Sequence, residues 1–135
     1  MPEKKTIERA REDAREGKSP STQAGEFVRE EIHHVREGKH GARSTQQAIA
    51  IGLSKARRAG VKLPTRKATK SESRRTTKPS PKRSRAVTRA LKREGKSAAS
   101  HEALSRQATK SARSRGSSKR SAAARKGART RARNR

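Results

Sequence analysis

The sequence predicts a mostly α-helical protein with a small N-terminal module of about three short helices. A largely disordered basic tail with one or two additional helices follows this module. The 135 residues include 39 Lys and Arg but only 12 Asp and Glu, a net charge of +27. Residues 64–135 carry 25 of these cations and 3 of the acids, whereas 11 of the 14 large apolar residues precede Pro64. High charge with few apolar side chains opposes a packed core in the tail.

Composition excludes several classes of protein. The longest apolar run, residues 48–53, contains a glycine and is far shorter than the roughly 20 residues of a membrane-spanning helix. The N-terminus is charged, so no secretory signal is expected. Without cysteine there is no disulfide framework, thiolate metal site or cysteine nucleophile. The chain is therefore expected to be an intracellular polycation without a large enzyme core.

Start and stop signals delimit the first two helices. Gly17 is a suitable stop for the first helix, and Gly38 for the second. Ser19 is the predicted N-cap of the second helix, with Pro20 at its first helical position, where a missing N–H costs nothing. The apolar stripes at helical spacing consist of Ile7, Ala10 and Ala14 in the first helix, and of Ala24, Phe27, Val28, Ile32 and Val35 in the second.

The third helix opens with a capping-box pattern at residues 44–47 and stops at Gly60. Val61 and Leu63 are expected to fold back on it. Because apolar residues are few, the module is expected to be a loose helical hairpin or a dimer that pools two stripes, with consolidation on a protein partner as the third option. The core or partner face is predicted at Phe27, Val28, Ile32, Val35, Ile49 and Leu53.

The tetrapeptide Arg-Glu-Gly-Lys occurs three times, at residues 15–18, 36–39 and 93–96. Each copy ends a predicted helix and precedes another. The simpler interpretation is a common stop-and-restart signal. The alternative is a repeated helix-turn-helix-like unit that contacts phosphates, although the irregular spacing excludes a solenoid.

The chain is divided into four segments by these patterns. Residues 1–63 form the helical module, and residues 64–84 are a linker rich in Pro, Ser, Thr and basic residues. Residues 85–112 contain a helix-turn-helix-like pair with apolar stripes around Leu91 and Leu104. Residues 113–135 are a disordered basic tail, in which Ser121–Arg129 is expected to become helical when a polyanion neutralises it.

The chemistry available to the tail is phosphate neutralisation. Lys and Arg release the counterions condensed on nucleic acid, which drives sequence-independent and salt-dependent binding. The membrane surface is a weaker candidate because the tail lacks an apolar anchor. The predicted phosphate contacts are Lys82, Arg83, Arg85, Arg89, Lys92, Arg93, Arg113, Arg115, Lys119, Arg120, Arg125, Lys126, Arg129, Arg131 and Arg133.

The mode of nucleic-acid binding is indicated by the lack of aromatic residues. Phe27 is the only one, and single-strand binders stack bases on several aromatic side chains. Duplex DNA is therefore favoured, with structured RNA as an alternative. Residues 80–83, Ser-Pro-Lys-Arg, look like the minor-groove turns of linker-histone tails or a simple linker. Base readout by Gln46 and Gln47 is a further alternative to a solvated helix start.

No catalytic constellation or cofactor motif is found, so the protein is not expected to be an enzyme. Glu30, His33, His34 and Glu37 fall within two helical turns, but the other two helices of the module offer no matching His. They are expected to form a solvated, charge-balanced face rather than a metal site. His40 and His101 have no predicted partner, and neither a metal ion nor a small-molecule substrate is expected.

Several stretches resemble a family of small, highly basic bacterial proteins of unknown function, whose members are commonly described as DNA-binding. The N-terminal stretches are STQAGEFVREEI at 21–32, REGKHGARS at 36–44 and AIAIGLSKARRAGV at 48–61. Segments 89–95 and 121–126 also look like the family's C-terminal regions, and more loosely like bacterial histone-H1-like tails. The resemblance implies a location in the bacterial cytoplasm, and the DNA-binding interpretation adds the nucleoid as the expected site. It transfers no functional residue.

The sequence thus predicts a non-enzymatic, sequence-tolerant DNA-binding protein that is nucleoid-associated in character. Residues 64–135 are expected to retain most of the DNA affinity. Two alternatives remain: an RNA- or ribosome-associated protein that uses the same tail, and an adaptor whose residues 1–63 bind a protein partner or a second copy of the chain.

Overall fold

The computed structural model describes residues 1–64 and 80–134, and no strand occurs within these ranges. Six α-helices are present in them: α1 (Lys4–Arg15), α2 (Pro20–Glu37), α3 (Thr45–Arg58), α4 (Pro81–Arg93), α5 (His101–Ser114) and α6 (Gly116–Arg133). A 3₁₀ turn, Ser97–Ala99, lies between α4 and α5. The mostly helical class is confirmed. Most of the predicted linker, residues 65–79, lies outside the described residues.

The expectation of a largely disordered tail is wrong. Residues 81–93, 101–114 and 116–133 are helical, and α6 covers most of the segment that was predicted to be disordered without a polyanion. The physical reason is local composition. Between Gly116 and Arg133 most residues are Ala, Arg, Lys or Ser, and there is no proline. Ala, Arg and Lys have high helix propensity. The helix therefore forms despite the mutual repulsion of its Arg and Lys side chains.

The ends of α2 form as the sequence predicts. Ser19 Oγ accepts a hydrogen bond from the Thr22 N–H at 3.3 Å, and Pro20 is the first helical residue. Gly38 ends the helix in the left-handed conformation, at φ 79°. The N–H groups of Gly38 and Lys39 donate to the carbonyls of Val35 and His34, which satisfies the last turn of the helix.

The predicted N-cap of α3 is confirmed, and the reciprocal bond of the capping box reaches Arg43, one residue before the cap. Ser44 Oγ accepts a hydrogen bond from the Gln47 N–H at 3.2 Å. The Gln47 side chain in turn accepts one from the Arg43 N–H at 2.7 Å. Gln47 is therefore engaged in capping, and of the two glutamines considered for base readout only Gln46 lacks such a role.

The core lies where α2 packs between α1 and α3. Ala10, Ala24, Phe27 and Ala56 are buried at its centre. Small side chains at these positions let the helices approach closely around one phenylalanine. Ile7, Leu53, Val61 and Leu63 pack against this cluster, so the predicted fold-back of the segment after α3 is confirmed. A single chain thus covers the stripe around Phe27.

A later segment completes this N-terminal unit. The 3₁₀ turn Ser97–Ala99 packs against both α2 and α3, and Ala98 and Ala99 are buried there. The chain divides into two compact units, residues 1–100 and residues 101–135. The second unit consists of α5 and α6, which contact each other. No helix in the described ranges is long and apolar enough to cross a membrane.

The three tetrapeptide copies all lie at the C-terminal end of a helix, but they differ in conformation. Gly17 and Gly38 in the first two copies are left-handed, whereas Gly95 in the third is not. Instead, the residue before Gly95 is extended, and the Gly95 carbonyl accepts a hydrogen bond from the Ala42 N–H at 3.2 Å. The repeat is thus a stop signal in two copies and a docking segment in the third.

Candidate nucleic-acid interface and a buried ion cluster

All of the predicted phosphate-contacting side chains are exposed to solvent. Six lie on α4, one is on α5, one is between α5 and α6, and seven lie on α6. None of them forms an ion pair with any acidic residue in the described ranges. Their charges are therefore free to interact with an external anion. The residues on α4 are Lys82, Arg83, Arg85, Arg89, Lys92 and Arg93; Arg113 and Arg115 follow; those on α6 are Lys119, Arg120, Arg125, Lys126, Arg129, Arg131 and Arg133.

The cations of α6 are concentrated on one side of the helix. At 100° per residue, five of the seven fall within an arc of about 120°, and they span about 21 Å along the axis. No acidic residue and no buried residue occurs on α6. We call these five residues the α6 basic face: Lys119, Arg125, Lys126, Arg129 and Arg133.

A second basic face lies on α4. Five of its six cations fall within an arc of about 100°, and this helix also has no acidic residue and no buried residue. Val87 and Leu91 lie on the other side of α4, and Val87 is 54% exposed. We call these five cations the α4 basic face: Lys82, Arg85, Arg89, Lys92 and Arg93.

The predicted core or partner face is partly buried inside the chain. Phe27 and Val35 are fully buried, and Ile32 is 8% exposed. The other three, Val28, Ile49 and Leu53, are half-buried. The most buried half of this face therefore belongs to the core of the N-terminal unit.

A cluster of charged side chains lies beside this core, and sequence reasoning missed it. Glu31 is 1% exposed and Glu30 is 6% exposed. Glu31 Oε1 lies 2.8 Å from His40 Nε2, and Glu31 Oε2 lies 2.6 Å from Lys55 Nζ. Lys55 Nζ is also 3.5 Å from Glu30 Oε1. We call Glu30, Glu31, His34, His40 and Lys55 the buried ion cluster.

The start of the chain is attached to this cluster. The Glu3 N–H donates to Glu30 Oε2 at 3.1 Å, and Glu3 Oε1 lies 3.2 Å from His34 Nε2. Lys39 Nζ approaches the same Glu3 oxygen at 3.4 Å. The hydrogen bond with His34, followed by that with Lys39, lowers the pKa of the Glu3 carboxyl.

Two expectations about these residues are therefore wrong. Glu30 and His34 do not belong to a solvated face, because Glu30 is buried and the His34 side chain is only 12% exposed. His40, expected to have no partner, pairs with Glu31. His33 and Glu37 are exposed as predicted. One sequence signal for this cluster was the i, i+3 spacing of Glu31 and His34, which places both residues on the same face of α2. The approach of Lys55 and His40 has no such signal, because it depends on how α3 and the loop after α2 fold back.

The connection between α2 and α3 holds the later segment in place. The Gly41 N–H donates to the Leu91 carbonyl at 2.8 Å. Thr45 Oγ1 donates to the Ala98 carbonyl at 2.6 Å, and Arg36 Nε donates to the Ala99 carbonyl at 2.8 Å. These bonds attach the C-terminal end of α4 and the 3₁₀ turn after it to α2, to α3 and to the connection between them.

The N-terminal part of the chain matches the model of a family of unknown function, DUF6496, over residues 4–67. The match includes the three N-terminal blocks on which the resemblance to a family of unknown function was based. No curated protein and no solved structure matches the chain.

Proposed function

We propose that the protein binds duplex DNA without sequence preference, through phosphate contacts made by its exposed basic helices. The observation that carries the proposal is the α6 basic face. Five cations share one side of a helix that has no acidic residue, so their charges add at one surface. Such a face suits the regularly spaced phosphates of a duplex, and binding would release condensed counterions.

The α4 basic face supports the same function from the other unit. Its cations form no ion pair with acidic residues in the described parts of the chain, and hydrogen bonds to the residues around Gly41 hold the end of α4 in place. Sequence-tolerant binding follows from the residue types, because Lys and Arg on phosphates position a protein but do not read bases. Single-strand binding is disfavoured because Phe27, the sole aromatic residue, is fully buried.

The proposal is tested by charge removal in the full chain. One variant changes the five residues of the α6 basic face to Gln, and a second does the same for the α4 basic face. The control replaces by Gln five exposed cations of the N-terminal unit that form no ion pair within residues 1–64 and 80–134, which gives the same change in net charge: Lys4, Lys5, Arg11, Arg57 and Arg58. Affinity for a duplex is measured by fluorescence anisotropy across a salt series.

The slope of log K against log salt is negative, and each lost phosphate contact should reduce its magnitude by about 0.9. The slope of the α6 variant should therefore be shallower by up to about 4.5. The control should lose much less. Equal losses in all three variants would contradict the proposal, because binding would then follow net charge alone. Competition by folded RNA that exceeds competition by duplex DNA would favour the RNA-binding alternative.

A further inference from the structure

We propose that Glu31, His34 and His40 form a binding site for one divalent transition-metal ion, with zinc as the best match. Glu31 and His34 are three positions apart on α2, and His40 follows the left-handed turn at Gly38. One ligand atom from each residue lies within 4.8 Å of the others. A carboxylate with two imidazoles is a ligand set that zinc commonly takes in proteins. Ligands around one zinc ion are about 3.4 Å apart, so small side-chain rotations would complete the site.

The ring of His40 is already oriented as a metal ligand would be. Its Nδ1 lies 3.0 Å from the Gly41 carbonyl oxygen, while its Nε2 lies 2.8 Å from Glu31 Oε1. Both oxygens are acceptors, whereas a neutral imidazole has only one N–H to donate. When Nδ1–H donates to the carbonyl, the lone pair of Nε2 faces a carboxylate. A cation bound between Nε2 and Glu31 removes this repulsion, and a backbone carbonyl on the other nitrogen is the usual support of a ligating histidine.

The charge balance of the buried ion cluster also favours an added cation. Two buried carboxylates, Glu30 and Glu31, share the single ammonium of Lys55. Glu31 Oε2 and Glu30 Oε1 both depend on Lys55 Nζ, at 2.6 and 3.5 Å, so that one ammonium faces two buried carboxylates. Buried charge that lacks full compensation is costly, and a divalent ion beside Glu31 would supply the missing positive charge.

The site is accessible from solvent. The His34 side chain is 12% exposed and that of His40 is 19% exposed. Glu3, whose carboxylate lies 3.2 Å from His34 Nε2, is half exposed. Solvent can therefore fill the remaining coordination position, or Glu3 can move to it. The proposal is independent of DNA binding, since the basic faces of α4 and α6 include none of these residues.

The test titrates zinc chloride into the untagged full chain after removal of metal with a chelator, with a chromophoric chelator as competitor. We expect saturable binding of one zinc ion per chain and an increase in Tm at saturation. Cobalt(II) should give the visible absorption of a tetrahedral site. His34→Gln and His40→Gln should each weaken zinc binding at least tenfold.

His33→Gln is the matched control, because His33 is adjacent to His34 on α2 but exposed. This variant should bind zinc like the natural chain. Far-UV circular dichroism identifies any variant that loses its helices. His34 and His40 are substituted separately, so that the test remains valid if one of the two variants fails to fold. The proposal would be overturned if the natural chain showed no saturable zinc binding, or if the His33 and His40 variants lost zinc affinity equally. The cluster would then be an ion-pair network that holds no metal.

Discussion

At the scale of single residues, two glycines are required by close packing rather than by their backbone conformation. A Cβ at Gly52 would lie 2.7 Å from Val28 Cα, where α3 crosses α2. A Cβ at Gly41 would overlap the carbonyl group of Glu94. Neither glycine has a positive φ. The sequence shows Gly52 only as a glycine inside an apolar run, because the reason for it is the neighbouring helix.

This packing predicts opposite effects for two Gly→Ala substitutions within helices. Gly52→Ala should destabilise the protein by about 1–3 kcal/mol, because the methyl group meets the backbone of α2. Gly25→Ala, on α2 with open space around it, should stabilise by about 0.5–1 kcal/mol through helix propensity. Urea denaturation followed by circular dichroism measures both. A Gly52→Ala variant as stable as Gly25→Ala would contradict the observed crossing of α2 and α3.

At the scale of helices and connections, local signals and long-range contacts have separate roles. The caps at Ser19 and Ser44 and the stop at Gly38 act within a few residues, so the sequence predicted them correctly. The connection between α2 and α3 is different. Gly41 and Ala42 in this connection, and Thr45 at the start of α3, bond to residues about 50 positions further along the chain, and no local pattern indicates this.

Residues 91–99, whose carbonyls accept these long-range bonds, are called the docked segment. Removal of one of the bonds should loosen the attachment of this segment. Thr45→Val keeps the shape of the buried side chain but leaves the Ala98 carbonyl without its donor, at a cost of about 1–3 kcal/mol. Amide exchange around Ala99 should accelerate accordingly. Thr88→Val is the control, because its exposed hydroxyl bonds only within α4, and it should change stability by less than about 0.5 kcal/mol. If Thr45→Val behaves like Thr88→Val, the bond does not hold the segment.

At the scale of the whole molecule, the two units have different composition. Residues 101–135 carry 12 Lys and Arg but a single Glu, and they contain the α6 basic face. The first unit contains the aromatic residue, the buried ion cluster and the docked segment after α4. The proposed DNA-binding function therefore draws on both units, whereas the core belongs to the first.

Truncation should reveal where the first unit ends. A chain ending at Ser100 should keep the Tm of the full protein, because its internal contacts lie within residues 1–100. A chain ending at Leu63 should unfold at a clearly lower temperature, since it loses the partners of Arg36, Gly41 and Thr45. Differential scanning calorimetry distinguishes the two. Equal Tm values would show that the docked segment contributes nothing to the stability of residues 1–63.

The sequence by itself determined the helical class, the C-terminal ends of the first three helices, the N-caps of α2 and α3, and the exposure of the cations predicted to contact phosphate. These features depend on apolar spacing, on caps that act over a few residues, and on the high cost of burying unpaired charge. The sequence also indicated the high helix propensity of the region around Ala123, and α6 forms there despite the repulsion between its cations.

Only the tertiary structure decided which polar residues meet. Glu31, His40 and Lys55 lie on α2, on the loop after it and on α3, and they come together because α3 packs against α2. A buried pair of this kind depends on distances of about 3 Å between distant parts of the chain. Local patterns act over one or two helical turns, and thus they cannot specify such distances.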